Sequence, residues 1–163
     1  MISRVVLVTD MVSSTGILHR LGDPGWVALL DEHDALLRSA IRAHGGVMYK
    51  HTGDGVCAWF TDPADAVSCA RSLLAAFEDR GLGASRDRID IRIGLARGSP
   101  IFRDGDLFGA TLVEAVRLCD DAAPGTGLAT ADVQAGIAEV LPTGGERMLK
   151  GFARSLTTYL VTQ

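Results

Sequence analysis

The sequence predicts an α+β domain built on a βαββαβ core of the ferredoxin-like kind, with a C-terminal extension closing it. Three observations predict this fold. A wholly apolar, β-branched run opens the chain at Val5 to Val8. Two short strand-like runs, Val47 to Lys50 and Val56 to Phe60, flank an Asp54-Gly55 step of the kind that turns a hairpin. Segments of helical period separate these runs from one another and from a later period-two run at Ile89 to Leu95.

The elements follow in order. Val5 to Val8 ends in Thr9 and Asp10, so it reads as a buried strand that delivers a carboxylate at its C-terminal end. A polar turn of Ser13, Ser14 and Thr15 comes next. Asp23 to His44 then reads as a helix, with Asp23 as the cap, Pro24 in the first turn, and Trp26, Leu29, Leu30, Leu36, Leu37 and Ile41 on one face. Gly45 and Gly46 end it. The hairpin follows, with Lys50 and Asp54 near its tip, and Thr61 and Pro63 open a second helix that runs through Phe77 to near Gly81. A polar linker is expected from Gly83 to Arg88.

Ile89, Ile91, Ile93 and Leu95 alternate with polar residues or glycine, the pattern of a half-buried strand. A turn rich in glycine and acid at Arg103 to Asp106 leads to a third helix, from Gly109 to about Asp121, with Leu112, Ala115, Val116 and Cys119 at core spacing. Gly127 to Thr130, a short helix around Val133 to Val140, and two closing runs near Met148 and Thr158 to Val161 complete the domain. The resulting sheet is mixed and mainly antiparallel. Helices cover one of its faces, and the other needs a different cover, for which a second copy of the domain is the economical choice.

Length and composition set the remaining limits. A chain of 163 residues that is 47% apolar fits one domain, residues 1–163, with one full core. Its net charge of −4 argues against nucleic acid as a partner, since a coat protein for DNA or RNA needs a basic face to replace counterions. Cys57, Cys69 and Cys119 make no CxxC pair and lie in apolar stretches, so they read as free core thiols of a reducing, cytoplasmic compartment. No apolar run reaches the ~20 residues that span a bilayer, and Asp10 interrupts what a signal peptide would continue. No membrane contact by this chain is expected, although it could be one domain of a larger or membrane-attached protein. His19, His33, His44 and His51 have no ligand spacing and read as helix-surface or turn residues.

The candidate chemistry starts from two carboxylates. Asp10 at a strand end and Asp54 at a hairpin tip fall on adjacent central strands in this topology. Paired carboxylates hold a hard cation that keeps waters and shares phosphate oxygens. Ser13, Ser14 and Thr15 add hydroxyls and backbone N–H groups where phosphate oxygens are well received.

These residues resemble a known family, the class III nucleotidyl cyclases. Val8-Thr9-Asp10-Met11-Val12-Ser13-Ser14-Thr15 resembles the first metal motif of that family, and Lys50-His51-Thr52-Gly53-Asp54-Gly55 the second. The likeness continues in order through Ile91-Arg92-Ile93-Gly94-Leu95, Asp106-Leu107-Phe108-Gly109, Ala115-Val116-Arg117-Leu118 and Leu149-Lys150-Gly151, over nearly the whole chain.

The resemblance implies the cyclase homology domain and an adenylate cyclase that converts ATP to 3′,5′-cyclic AMP and pyrophosphate. Two ions, Mg2+ or Mn2+, are then held by Asp10 and Asp54 with help from the Met11 carbonyl. Lys50 and Asp106 become the residues facing the base. Lysine only donates and ionised aspartate only accepts, which complements the N1 acceptor and N6 donor of adenine and opposes guanine. Arg117 would stabilise charge on the α-phosphate, Lys150 would contact the polyphosphate, and each site would lie between two domains of a homodimer. The sequence departs from the family at Val113, where an asparagine is usual. Valine donates no hydrogen bond, so the resemblance implies slow turnover, and the alternative function is a catalytically weak, nucleotide-binding regulatory domain.

Overall fold

A computed structural model of the chain describes residues 2–79, 81–83 and 86–163. Its centre is β1 (Arg4–Met11), whose five consecutive buried residues from Val5 to Thr9 make it a strand with a core on either side. β1 is followed by α1 (Ser14–Ala43), β2 (Val47–His51), β3 (Val56–Phe60) and α2 (Pro63–Asp79). Next come the two-residue strands β4 (Gly81–Leu82) and β5 (Asp87–Arg88), then β6 (Ile91–Gly98), β7 (Ile101–Arg103), β8 (Asp106–Phe108) and α3 (Ala110–Asp121). β9 (Gly127–Thr130), α4 (Ala131–Gln134), β10 (Thr143–Arg147) and β11 (Leu156–Val161) complete the order.

The main sheet has seven strands in the order β10-β11-β9-β6-β1-β3-β2. Its β6-β1-β3-β2 half is the expected βαββαβ core, and among the described residues only the β6–β9 pairing is parallel. Both edges of β1 are paired, with Val8 opposite Cys57 of β3 and Asp10 opposite Arg92 of β6.

Alternation along β1 divides the core. Val5, Leu7 and Met11 pack with Leu29, Leu37 and Ile41 of α1 and with Leu73 and Phe77 of α2. Val6 and Val8 point the other way, to Ala115 and Cys119 of α3 and Leu107 of β8. Helices therefore lie on both faces, and the expectation of one uncovered face is corrected. Gly94 makes this possible: a Cβ there would sit 1.9 Å from the Ala115 carbonyl oxygen, so only glycine lets α3 lie so close to β6. The same helix explains why Gly94 and Ala96 are as buried as Ile93 and Leu95, where a half-buried strand was expected.

Other local expectations shift. Ser13 adopts a left-handed conformation (φ 58°, ψ 31°), and Ser14 and Thr15 begin α1 instead of forming a turn. Gly22 (φ 69°, ψ 171°) interrupts that helix just before Asp23 and Pro24, so the predicted helix start survives as a kink. The linker expected from Gly83 to Arg88 is bounded by the β4–β5 ladder, with Ala84 and Ser85 outside the described residues. The helix expected through Val140 stops at Gln134. The Gln134 side chain accepts from the Leu141 N–H at 2.8 Å and donates to the Glu139 carbonyl at 2.7 Å, which fixes a loop there.

All three cysteines are buried and free, as expected, and burial pushes the Cys69 thiol up to about 12. Among the described residues no helix is long and apolar enough to cross a membrane.

Candidate active site

The tip of the β2–β3 hairpin lies flat on the end of β1. The Met11 N–H donates to the Asp54 carbonyl at 3.1 Å, and the Val56 N–H donates to Thr9 Oγ1 at the same distance. Gly55 permits the approach, since a Cβ there would lie 1.9 Å from the Thr9 carbonyl oxygen. Asp10 and Asp54 are thus neighbours across β1 and the hairpin, as the sequence predicts. Beside them a cleft of about 230 Å³ is lined by Ser14, Thr15, Trp26, Thr52 and Asp54.

Asp10 has a partner that sequence reading overlooked. Its Oδ2 accepts a hydrogen bond from Arg92 Nη2, while Arg92 Nη1 donates to the Asp120 carbonyl at 2.9 Å, at the C-terminal end of α3. The hydrogen bond that Arg92 donates to Asp10 raises the Arg92 pKa further above its already high ordinary value. One Asp10 oxygen is thereby oriented by the protein.

Among the described residues no three His, Cys, Asp or Glu side chains gather to hold a metal ion. Two carboxylates with backbone carbonyls still fit a hard divalent cation, because such ions keep several water and phosphate oxygens of their own. The donor set is all oxygen, which suits Mg2+ or Mn2+ and does not suit a softer metal.

Lys50 and Asp106 form the second constellation. The ladder between β2 and β3 slips between Met48 and Lys50, a bulge that re-aims the end of β2. Lys50 Nζ donates to Asp106 Oδ2 at 2.5 Å, and Asp106 Oδ1 accepts the Leu107 N–H at 2.8 Å. The hydrogen bond from Lys50, then that from Leu107, lowers the Asp106 pKa, and the bond to Asp106 raises that of Lys50. Both groups are charged over a wide range of pH.

The remaining predicted residues are not gathered with these. Arg117 on α3 pairs with Asp120 at 3.4 Å, and Val113, one turn earlier, is 46% exposed. Lys150 is exposed in the turn joining β10 and β11, at the far edge of the sheet from the hairpin. Exposed apolar side chains occur on the strands that carry Lys50 and Asp106 and on the adjoining hairpin strand: Ile101 and Phe102 of β7, Phe108 of β8 and Val47 of β2.

One histidine departs from its predicted surface role: His33 is completely buried against Phe77. His51 is exposed beside the hairpin turn, as expected, and reaches back to Asp34 of α1. No spacing in the sequence signals this cluster, since Asp34 and His51 are 17 residues apart on different elements. His19 is exposed, as expected, while His44 bonds to the Ala40 carbonyl at the end of α1.

No protein-family model matches the chain. A protein of Rhizobium meliloti named "Putative adenylate cyclase 3" is 31% identical over 128 residues, covering 78% of this chain and 22% of that protein. An uncharacterized protein of Mycobacterium tuberculosis is 33% identical over 148 residues, 88% of this chain and 37% of its own length. The chain thus spans well under half the length of these curated relatives. Among solved structures, an adenylate/guanylate cyclase/hydrolase from Silicibacter pomeroyi is 26% identical with a TM-score of 0.76, covering 99% of this chain and 96% of that one. The catalytic core of a rhodopsin-guanylyl cyclase with converted specificity, in complex with ATPαS, superposes with a TM-score of 0.87 at 22% identity, over 98% of this chain and 95% of its own.

Proposed function

The chain belongs by fold to the class III adenylate/guanylate cyclase catalytic domains, and from that premise we propose that it is an adenylate cyclase, converting ATP to 3′,5′-cyclic AMP and pyrophosphate. The observation that carries this choice over a guanylate cyclase is the Lys50–Asp106 pair. A donor and an acceptor held together, each fully charged, offer the complement of adenine N1 and N6. Guanine would set its own donor against the lysine and its acceptor against the carboxylate, a mismatch at both positions.

Asp10 and Asp54 bind two divalent ions, Mg2+ or Mn2+, with the Met11 carbonyl. When bound, the ions supply positive charge at the α-phosphate and the pyrophosphate and ease deprotonation of the ribose 3′-hydroxyl. Arg92 holds Asp10 in place. Ser13, Ser14 and Thr15 receive phosphate oxygens at the start of α1. Arg117 places a fixed positive charge toward the α-phosphate, and Lys150 contacts the polyphosphate. No protein nucleophile is needed, because such phosphoryl chemistry depends on position and charge.

The complete site lies between two copies of the chain in a homodimer. One copy supplies the carboxylates and the other supplies Lys50, Asp106 and Arg117. The exposed apolar side chains of β7, β8 and β2 support this, since they lie on the same strands and hairpin as the base-selecting pair and would be buried by a partner. The deciding experiment measures product from ATP and from GTP, with Mg2+ and with Mn2+, at two protein concentrations. Cyclic AMP that rises faster than linearly with protein meets the proposal, and cyclic GTP alone would overturn it. The exposed Val113 favours a second reading, a weak cyclase domain that acts by binding nucleotide. Binding of ATP without any cyclic product would select it.

A further inference from the structure

Asp34 on α1 accepts through both carboxylate oxygens: His33 Nδ1 lies 2.9 Å from Oδ1, and His51 Nε2 lies 2.8 Å from Oδ2. A carboxylate only accepts, so each imidazole must donate there. This assigns the proton of His33 to Nδ1 and that of His51 to Nε2. The Nδ1 of neutral His51 is then an acceptor, and it receives the Gly53 N–H at 3.1 Å. The turn is closed by the Thr52 N–H donating to the Gly55 carbonyl at 2.9 Å, and the Asp54 carbonyl takes the Met11 N–H. His33 is itself seated edge-on against Phe77 of α2, with ring centres 5.4 Å apart. A continuous set of contacts therefore runs from the core, through Asp34 and His51, to the turn that carries Asp54.

We propose that Asp34 and His51 are positioning residues, a clamp that ties α1 to the β2–β3 turn and presets the Asp54 carboxylate for its divalent ion. The inference rests on the assignment of Asp54 to metal binding. Asp34 lies on α1 and meets the β2–β3 turn through its bond to His51, so its effect on Asp54 passes through His51. Outer partners of this kind change ion affinity by about 10- to 100-fold, because an unfixed ligand must be ordered when the ion binds.

The test uses His51→Asn. An asparagine side chain can still accept the N–H two residues ahead in an Asx turn, and it is too short to reach Asp34. Free Mn2+ is followed by electron paramagnetic resonance while the chain is titrated with a non-cyclisable ATP analogue present, and amide exchange over residues 52–55 is measured without metal. The clamp predicts a half-saturating Mn2+ concentration raised about tenfold and turn exchange faster by a similar factor. Asp34→Ala should reproduce both, with thermal melting as the check that it folds. Wild-type Mn2+ binding and wild-type exchange in His51→Asn would overturn the clamp. If Asp54→Ala binds Mn2+ as the native chain does, the metal assignment fails and with it the role proposed for the clamp, while unchanged exchange would remove the clamp itself.

Discussion

Lys50 Nζ and Asp106 Oδ2 lie 2.5 Å apart, although 56 residues separate them in sequence. The bulge near Lys50 on β2 and the short β7–β8 hairpin bring them together. Replacing Lys50 by Glu and Asp106 by Gly should lower the ratio of ATP to GTP kcat/KM by about tenfold or more, since it removes both the donor and the acceptor that complement adenine. Steady-state kinetics on both nucleotides checks this, and an unaltered ratio removes the pair from base recognition.

The same pair sets a pH expectation. Asp106 has its pKa lowered from 3.8, so its contribution is full above that value and is lost only as pH falls through the lower folded value. Lys50 has its pKa raised from 10.5, so its contribution is full below that value and is lost only as pH rises through the higher one. The ATP-to-GTP preference should stay constant between these limits. A preference that changes near neutral pH would show that another group reads the base.

His33 gives stability an acid-side slope. Burial lowers its pKa from 6.5, against a smaller opposing effect of its bond to Asp34. The unfolded chain takes up a proton that the folded chain refuses, so stability is full above 6.5 and declines as pH falls below it. Denaturant unfolding at several pH values should show this decline, and His33→Phe should flatten it.

Val113 is exposed on α3, one turn before Arg117, so Val113→Asn should cost within about 0.5 kcal/mol of stability. If a donor at that position supports the transition state, turnover should rise by up to about a hundredfold. Single-turnover measurements at saturating ATP would show whether kcat alone moves.

Gly55→Ala should destabilise the chain by more than about 2 kcal/mol and lower Mn2+ binding together with it, because the new methyl would overlap the Thr9 carbonyl. Phe102→Asp is the surface counterpart: the fold should persist while sedimentation shows weaker self-association and turnover falls at fixed protein concentration. Native-like self-association in that variant would remove β7 from the proposed dimer contact.

The sequence by itself determined the order of the βαββαβ core elements, the hairpin, the positions of the carboxylates and the chemical type of each candidate site residue. These follow from patterns within about ten residues: an apolar run ending in Asp10, an Asp-Gly turn, a period-two stretch. Only the tertiary structure decided that α3 covers the second face, that Arg92 engages Asp10, and that Asp34 joins His33 to His51. The last two contacts span 82 and 17 residues. Such contacts depend on strand register and helix packing, and polar side chains at a distance leave no period in the sequence. Arg92 looks like one more polar position in an alternating strand until its ladder places it opposite Asp10. His33 looks like a surface residue of an amphipathic helix until α2 packs over it.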